Sequence, residues 1–529
     1  MLQTPRSYNG MVVAPHHLAA QAGLSVLKDG GNAIEAMIAA AATIAVVYPH
    51  MNGIGGDGFW LIGRADETPT GIQGCGRSAS GVSRDFYRTR GLTSIPHRGP
   101  LSAITVAGTV SGWAKALEIS AAQHGGRLPL KRLLEDAIHY AREGVPVAAT
   151  LHNNAVGKLD ELRAVPGFAE AYLVGGSPVK TGARLQQTHL ADTLDQLATS
   201  GLADFYHGDI ARSIATDLEK AGSPLRLADL ENHTAEIVEP LSVAVGEHTV
   251  FNLPPPTQGL ASLLILALYA NAPAENADTL DHVHRLVEAT KAAFRVRNEH
   301  VTDPAHMRRT AESLLSDAEV ARLGASISDT AAPWPHPSQN GDTVWLAAAD
   351  SSGLSVSFIQ SIYWEFGSGL ILPDTGITWQ NRGTSFELDE HAVNTLEPGR
   401  LPFHTIQPAM AQLDDGRLIA YGTMGGEGQP QTQAAVFTRH VLHGQSLQES
   451  VSAPRWLLGR TWGEDSTNLK LESRFDPSLI DALRARGHDV ALMGPFEQQM
   501  GHAGAIALHP DGLLEGASDP RSDGAVAAW

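Results

Sequence analysis

Ser338-Gln339-Asn340-Gly341-Asp342-Thr343-Val344-Trp345-Leu346-Ala347-Ala348-Ala349-Asp350-Ser351-Ser352-Gly353-Leu354-Ser355-Val356-Ser357-Phe358-Ile359 is the stretch on which the fold turns. Upstream, from Asp329 to Asp342, Pro, Ser, Asn and Gly dominate, which predicts an exposed, flexible linker. At Thr343 the composition changes sharply. Thr343 to Ala349 reads as an apolar strand, Ser351-Ser352-Gly353 as a turn and Leu354 to Ile359 as a second strand, together a buried hairpin. Taken alone, Thr343 is an ordinary β-branched strand residue. The same pattern also suits a cut before Thr343, which would free an α-amine beside its hydroxyl and make one residue both nucleophile and base.

Before the linker, helix and strand signals alternate. His17 to Lys28 is periodic, Gly30-Gly31 can stop it in left-handed geometry, and Asn32 can cap the alanine-rich helix that Pro49 ends. Gly53-Ile54-Gly55-Gly56-Asp57-Gly58 then feeds the apolar run Phe59-Trp60-Leu61-Ile62, a glycine turn leading into a buried strand. These glycines follow a helix and precede a strand, the reverse of the nucleotide-binding fingerprints, and no Gly-Lys-Ser/Thr follows them. From Leu128 to Arg322 the pattern is mostly helical, with one long amphipathic helix from Asp281 to His300 closed by Asp303-Pro304. His284 and Glu288 share a face of it, but no third ligand stands at a familiar offset, so a packed or solvated face is expected and no metal. Beyond the hairpin, helices are expected near Thr432 to His443 and Pro477 to Arg486.

The balance of 38 Lys plus Arg against 57 Asp plus Glu gives −19, which would repel a phosphate backbone and excludes nucleic acid as a partner. A single cysteine, Cys75, allows no internal disulfide and no Cys-rich metal site. The N-terminal residues lack the apolar core of a secretory signal, and the stretch Ala33 to Val47, carrying Glu35, is too short and too weakly hydrophobic for a bilayer. The expectation is a cytoplasmic protein without membrane contact.

Several separated motifs, in order, carry a resemblance: Gly30-Gly31-Asn32-Ala33, Pro49-His50 with Gly53-Ile54-Gly55-Gly56, Glu288-Ala289 with Lys291, Ala293-Phe294, Arg297 and Asp303-Pro304, Ala453-Pro454-Arg455, and Gly516-Ala517-Ser518-Asp519-Pro520-Arg521. They resemble the gamma-glutamyltranspeptidase family from near Gly10 to near Gly524. The resemblance implies an N-terminal-nucleophile hydrolase, an α+β fold built as a four-layer αββα sandwich, made as a proenzyme that cuts itself. Asp350 resembles the aspartate closing the family's first small-subunit strand, which places the nucleophile on Thr343 and the cut between Asp342 and Thr343. Residues 1–342 would form the large subunit and 343–529 the small one, intertwined in one domain. Gly422-Thr423-Met424-Gly425-Gly426 resembles the family's oxyanion-hole glycines, with Gly425 and Gly426 as the pair, and Ser361 falls on the family's second hydroxyl beside the nucleophile.

The departures bear on substrate. The family's glutamyl-binding arginine falls near Cys75, with Arg77 two residues on as a replacement. Its small-subunit asparagine falls on Tyr363, an acidic or amide residue on Arg382, the aspartate that holds an α-ammonium on Ser385, and the usual serine pair on His404-Thr405. A pocket with Arg382, His404 and Arg77 but no carboxylate at position 385 favours an acyl group bearing a carboxylate and no α-ammonium. The expected reaction is hydrolysis of a small carboxylate-bearing amide such as oxamate to the acid and ammonia, without metal or organic cofactor. Homo-oligomers are compatible with this reading. Two other functions stay open: a gamma-glutamyl hydrolase or transferase acting on glutathione-like compounds, and a non-catalytic binding scaffold. The joint presence of Thr343, Ser361 and Gly425-Gly426 speaks against the scaffold.

Overall fold

The computed structural model describes residues 3–334, 342–459 and 467–529. Two seven-stranded sheets form its centre. The strands used below are β1 (Gly10–Ala14), β2 (Asp57–Gly63), β3 (Thr70–Gly74), β4 (Asp342–Asp350), β5 (Ser355–Tyr363), β6 (Ala409–Gln412), β7 (Leu418–Thr423) and β8 (Ala503–Leu508). In the first sheet the order is Ala525–Ala528, β1, β4, β5, β2, β3 and Glu236–Val238; in the second it is Arg6–Ser7, Leu514–Ser518, β8, β7, β6, His248–Asn252 and Leu241–Val245. All these pairings are antiparallel.

Alternation along each strand sorts the side chains into layers. Met11, Val13, Phe59, Leu61, Trp345, Ala347 and Ile359 of the first sheet meet Met410, Leu418, Ala420 and Ile506 of the second in an inter-sheet core. Their neighbours Val12, Trp60, Ile62, Val344, Leu346 and Phe358 face outward into a layer of helices. On the other side, Ala409, Ile419, Tyr421 and Ala505 pack against a second helical layer. Helices, sheet, sheet, helices is the expected αββα sandwich.

Helix α1 (Ala33–Val47) is buried on every face, and its start is fixed by a reciprocal capping box between Asn32 and Glu35. Glu35 is tolerated there because Oε1 accepts from the amides of Arg127 and Leu128, each at 2.7 Å, and Oε2 from the Asn32 amide at 2.9 Å. Asp350, at the end of β4, accepts from the Ala33 amide at 2.8 Å and from the Ser352 amide at 2.9 Å, joining the hairpin turn to that helix. Helices α2 (Gly259–Ala270) and α3 (Leu280–His300) cover the second sheet, and α4 (Gly428–Phe437) follows β7 directly. Among the described residues no helix is long and apolar enough to cross a membrane.

Two expectations change. The middle of the chain is mostly helical, as expected, but also carries sheet strands at Glu236–Val238, Leu241–Val245 and His248–Asn252, and Thr249 to Asn252 find their partners in Ala409 to Gln412, far along the chain. The linker is also not free from its beginning. Ala331 donates its amide to Arg486 O at 2.8 Å and Ala332 to Glu288 Oε2 at 3.0 Å, while Lys291 Nζ reaches Ala332 O at 2.6 Å and Arg295 reaches Pro333 O at 2.7 Å. One side of α3 thus straps this segment down. The rest of the expected flexible linker, residues 335–341, lies outside the described residues.

Candidate active site

Cross-strand register assembles the site at one end of the inter-sheet space. Asp342 is paired with Tyr363 and Val344 with Gln360, so one extra residue of β5 is accommodated opposite Thr343. Ser361 is in turn paired with Asp57 of β2. Alternation puts Thr343 on the face of Trp345, Ser361 on that of Ile359 and Asp57 on that of Phe59, which is the face turned to the second sheet. All three are fully buried. The Thr343 hydroxyl accepts from Gln429 Nε2 at 3.3 Å, and Ser361 Oγ accepts from the Tyr363 amide at 2.8 Å. Close approach of the backbones explains the glycine turn before β2: a Cβ on Gly56 would stand 2.1 Å from Ser361 O.

The second sheet supplies the opposite wall. After β7 the chain passes through Met424-Gly425-Gly426-Glu427 into α4, with φ of +122° at Gly425 and +51° at Gly426, a left-handed path that favours glycine. The loop is held from two sides. Gln258 Nε2 donates to Gly426 O at 2.8 Å and to Thr405 O at 2.5 Å, and its Oε1 accepts from Arg297 Nη1 at 2.9 Å. Arg297 also pairs with buried Glu427 at 3.0 Å. Behind the loop, Arg455 donates to Gly501 O at 2.7 Å and pairs with Asp519, which Arg521 contacts at 3.1 Å; a Cβ on Gly501 would lie 2.7 Å from Met424 O. The Arg455 and Asp519–Arg521 motifs therefore brace the glycine loop. At the start of α4 the Gly428 amide donates to Gly425 O at 2.7 Å and the Gln429 amide to Gly426 O at 3.3 Å, which ties the glycine pair to the positive end of the helix dipole.

Arg382 lies in the same buried end. Its guanidinium carbon sits 3.8 Å over the Tyr363 ring, and Nη1 donates to Thr405 Oγ1 at 3.4 Å. Nε and Nη2 have no hydrogen-bond partner among the described residues. Tyr363 is set under the guanidinium by a left-handed φ of +81°, a strained conformation for an aromatic residue. His404 Nε2 stands 3.5 Å from Asp57 Oδ2, and neither ring nitrogen of His404 makes a hydrogen bond. Burial, and after it the Arg382 charge, hold that imidazole well below its usual pKa, so it is neutral. Ser385 Oγ turns back to donate to Arg382 O at 2.9 Å.

Register and contacts thus bring together Thr343, Ser361, Tyr363, Arg382, His404 and Thr405, with Gly425 and Gly426 on the facing wall. They do not bring in Arg77, which is half-exposed, pairs with Asp303 at 3.4 Å and donates to Gly399 O at 3.2 Å. It lines a cavity of about 270 Å³ with Cys75, Asp229, His233 and Glu236, whose lining includes neither Thr343 nor Arg382. Burial pushes the Cys75 thiol well above its ordinary pKa, so it is no thiolate nucleophile. Of Asp342, the described part is its backbone, at the start of β4.

Sequence reasoning gave no role to Asp57, Gln258, Glu427 or Gln429, and used Arg297 only as part of a motif. For Asp57 a signal existed: a carboxylate opening a strand that is otherwise wholly apolar. It also missed His488, which completes a buried group with His284 and Glu288 whose ligand atoms lie within 4.8 Å of one another. Hydrogen bonds already occupy that group: His284 Nδ1 to His488 Nε2 and His284 Nε2 to Ser328 O, both 2.8 Å, and Glu288 to Lys291 and the Ala332 amide.

Comparison with known proteins finds relatives over nearly the whole chain. The sequence matches the gamma-glutamyltranspeptidase family over residues 19–529. It is 53% identical over 524 residues, 99% of each chain, to an oxamate amidohydrolase proenzyme of Klebsiella pneumoniae. It is 41% identical over 519 residues, 98% of each chain, to the glutathione hydrolase-like YwrD proenzyme of Bacillus subtilis. A crystal structure of a cephalosporin acylase from Bacillus halodurans superposes with a TM-score of 0.92 at 35% identity, covering 100% of this chain and 97% of that one.

Proposed function

Since the chain belongs to the gamma-glutamyltranspeptidase family and is an amidohydrolase of it, we propose that it cuts itself between Asp342 and Thr343 and that Thr343 then hydrolyses oxamate or a closely similar small amide. In the precursor the Thr343 hydroxyl attacks the Asp342 carbonyl, the acyl group moves from nitrogen to oxygen, and water releases the new terminus. The large subunit is then 1–342 and the small one 343–529.

In the mature enzyme the α-amine of Thr343, with an ordinary pKa of about 7.7–8.0, is partly neutral near pH 7 and takes the hydroxyl proton. The oxygen attacks the amide carbon, and the charge on the tetrahedral oxygen falls on the wall carrying the Gly425 and Gly426 amides. On collapse the carbon–nitrogen bond breaks, the nitrogen takes the proton from the α-ammonium and leaves as ammonia. Water, deprotonated by the same amine, then cleaves the acyl ester and regenerates Thr343. Ser361, one register step from Thr343, orients the nucleophile. Protein groups supply nucleophile, base and oxyanion donors, so no cofactor is invoked.

The observation that carries the substrate reading is Arg382: a buried cation on an aromatic face with two donor nitrogens facing no acceptor. A planar carboxylate satisfies both at once. Tyr363 and His404 both adjoin the Arg382 guanidinium, and the 53% identical relative bears the name of an oxamate amidohydrolase. The test compares ammonia release from oxamate with nitroaniline release from a gamma-glutamyl anilide by the matured protein. Preference for the anilide would refute this reading.

A further inference from the structure

Asp57 raises a difficulty that the substrate reading must meet. Its carboxyl group lies in the same buried end as Arg382, and an ionised carboxylate there would neutralise the charge meant for the substrate. The geometry shows a carboxyl group that is only half used. Oδ1 accepts from the Gly108 amide at 3.0 Å, from Gln380 Nε2 at 3.2 Å and from the Gly76 amide at 3.4 Å. Oδ2 makes no hydrogen bond, and no ion pair joins Arg382 to Asp57 among the described residues. Asp57 Oδ2, the His404 nitrogens and Arg382 Nε and Nη2 are thus orphaned polar atoms at one fully buried place, a set that calls for a polar occupant.

We infer that Asp57 binds substrate as a neutral carboxylic acid, its Oδ2–H donating to the same carboxylate that Arg382 holds, so that each substrate anion enters together with one proton. The inference rests on the reading of Arg382 as the carboxylate site. An ionised Asp57 would present Oδ2 lone pairs to the incoming anion; the protonated form presents a donor.

The neighbours agree. Groups facing Asp57 are His404 from the loop before β6, Arg382 and Gln380 from the segment after β5, Cys75 at the end of β3, and Tyr206 from the helix Asp204–His207. Burial, opposed by Arg382 and the hydrogen bonds to Oδ1, pushes the Asp57 carboxyl up to about 7. Burial holds His404 neutral, and Cys75 and Tyr206 are both pushed above their ordinary values, so Asp57 is the member of this group that changes charge near neutrality.

The experiment uses the matured wild-type enzyme and oxalate, the product anion, as a competitive inhibitor. Calorimetry at pH 8 in buffers of different ionisation enthalpy should show uptake of close to one proton per oxalate bound. The Ki should rise about tenfold per pH unit above pH 7, as a one-proton requirement demands. In Asp57→Asn, whose side-chain oxygen can keep the contacts of Oδ1, uptake should vanish and Ki should lose its rise. Wild-type binding of oxalate without proton uptake, and with a flat Ki, overturns the inference while leaving the Arg382 site intact. Uptake that persists in D57N assigns the proton to the Thr343 amine and also overturns it. Failure of oxalate to bind even at pH 6, with a gamma-glutamyl ligand binding more tightly as pH rises, would overturn the Arg382 reading itself and make Asp57 the anionic partner of an α-ammonium.

Discussion

Replacing Arg382 by Met should separate activity from stability in opposite directions. In the resting protein the guanidinium makes one long hydrogen bond, 3.4 Å to Thr405, and a stacking contact 3.8 Å over Tyr363. Against these stands a fully buried cation with two unpartnered nitrogens. Burial lowers its pKa, which shows that the site disfavours the charge. A Met side chain keeps the apolar stem and removes that desolvation penalty, so the thermal midpoint of R382M should stay level or rise. Turnover should collapse. Two charge-assisted hydrogen bonds to a substrate carboxylate, at about 1.5–3 kcal/mol each, amount to roughly 3–6 kcal/mol, a loss of about 150- to 25,000-fold in kcat/KM. The assay is ammonia release from oxamate alongside a melting curve and a gel that confirms maturation. An R382M enzyme that melts several degrees lower, or that keeps kcat/KM within tenfold of wild type, would refute the assignment of Arg382 as a substrate-binding group with no structural duty.

Thr343→Ala should persist as a single 56.1 kDa chain by intact mass, whereas Thr343→Ser, which keeps a hydroxyl, should still mature. Asp57→Asn should change the pH dependence of stability. A folded-state pKa raised from 3.8 to about 7 means the folded protein holds this proton more tightly, so the wild type is favoured below pH 4 and loses stability progressively from pH 4 to 7. That loss, up to roughly 4 kcal/mol, is absent in D57N, whose apparent Tm should gain a few degrees on wild type between pH 5 and pH 8; parallel curves would refute the shift. Lys291→Met removes the donor to Ala332 O and breaks a buried pair with Glu288, so self-cleavage followed on a gel should slow while the fraction that matures keeps the wild-type KM. Gly56→Ala places a Cβ 2.1 Å from Ser361 O and should abolish maturation, because backbone must move to admit it.

Local chemistry made part of this legible in the sequence. Asn32 and Glu35 three residues on form a capping box, and the composition break at Thr343 marks the start of a real buried strand, because caps and turns are decided by neighbours in sequence. The strands between Glu236 and Asn252 were hidden: Glu236, Glu239 and Glu247 interrupt the apolar alternation, and the ladders that hold Glu236–Val238 and His248–Asn252 come from Gly71 to Gln73 and from Ala409 to Gln412, far along the chain. The site shows the same division. The motifs marked Thr343, Ser361 and the glycine pair. That Asp57 is Ser361's cross-strand partner is a fact of register, that Arg382 stacks on Tyr363 depends on a left-handed residue, and that His488 meets His284 spans 204 positions. None of these leaves a periodic trace. Arg77, the nearest arginine in sequence to the family's position, was a reasonable substitute by counting, but its carboxylate partner is Asp303, and the buried arginine comes from the other side of the proposed cut.

The proposed cut also has a mechanical requirement that the fold meets. Breaking the chain between Asp342 and Thr343 would be harmful if either new end depended on the other for its place. On one side β4 is an interior strand, hydrogen-bonded to β1 and to β5, so Thr343 stays in register by ladder bonds that owe nothing to the linker. On the other side, Ala331 to Pro333 are held by Glu288, Lys291 and Arg295 of α3 and by Arg486 O, the last a residue of the small subunit. From Val344 onward on one side, and at Ala331 to Pro333 on the other, the anchoring contacts involve neither atom of the bond to be cut. If the proposed cut occurs, the strap on α3 and the ladder around β4 would let an internal threonine become a terminal one without loosening the two sheets that hold the residues proposed to act with it.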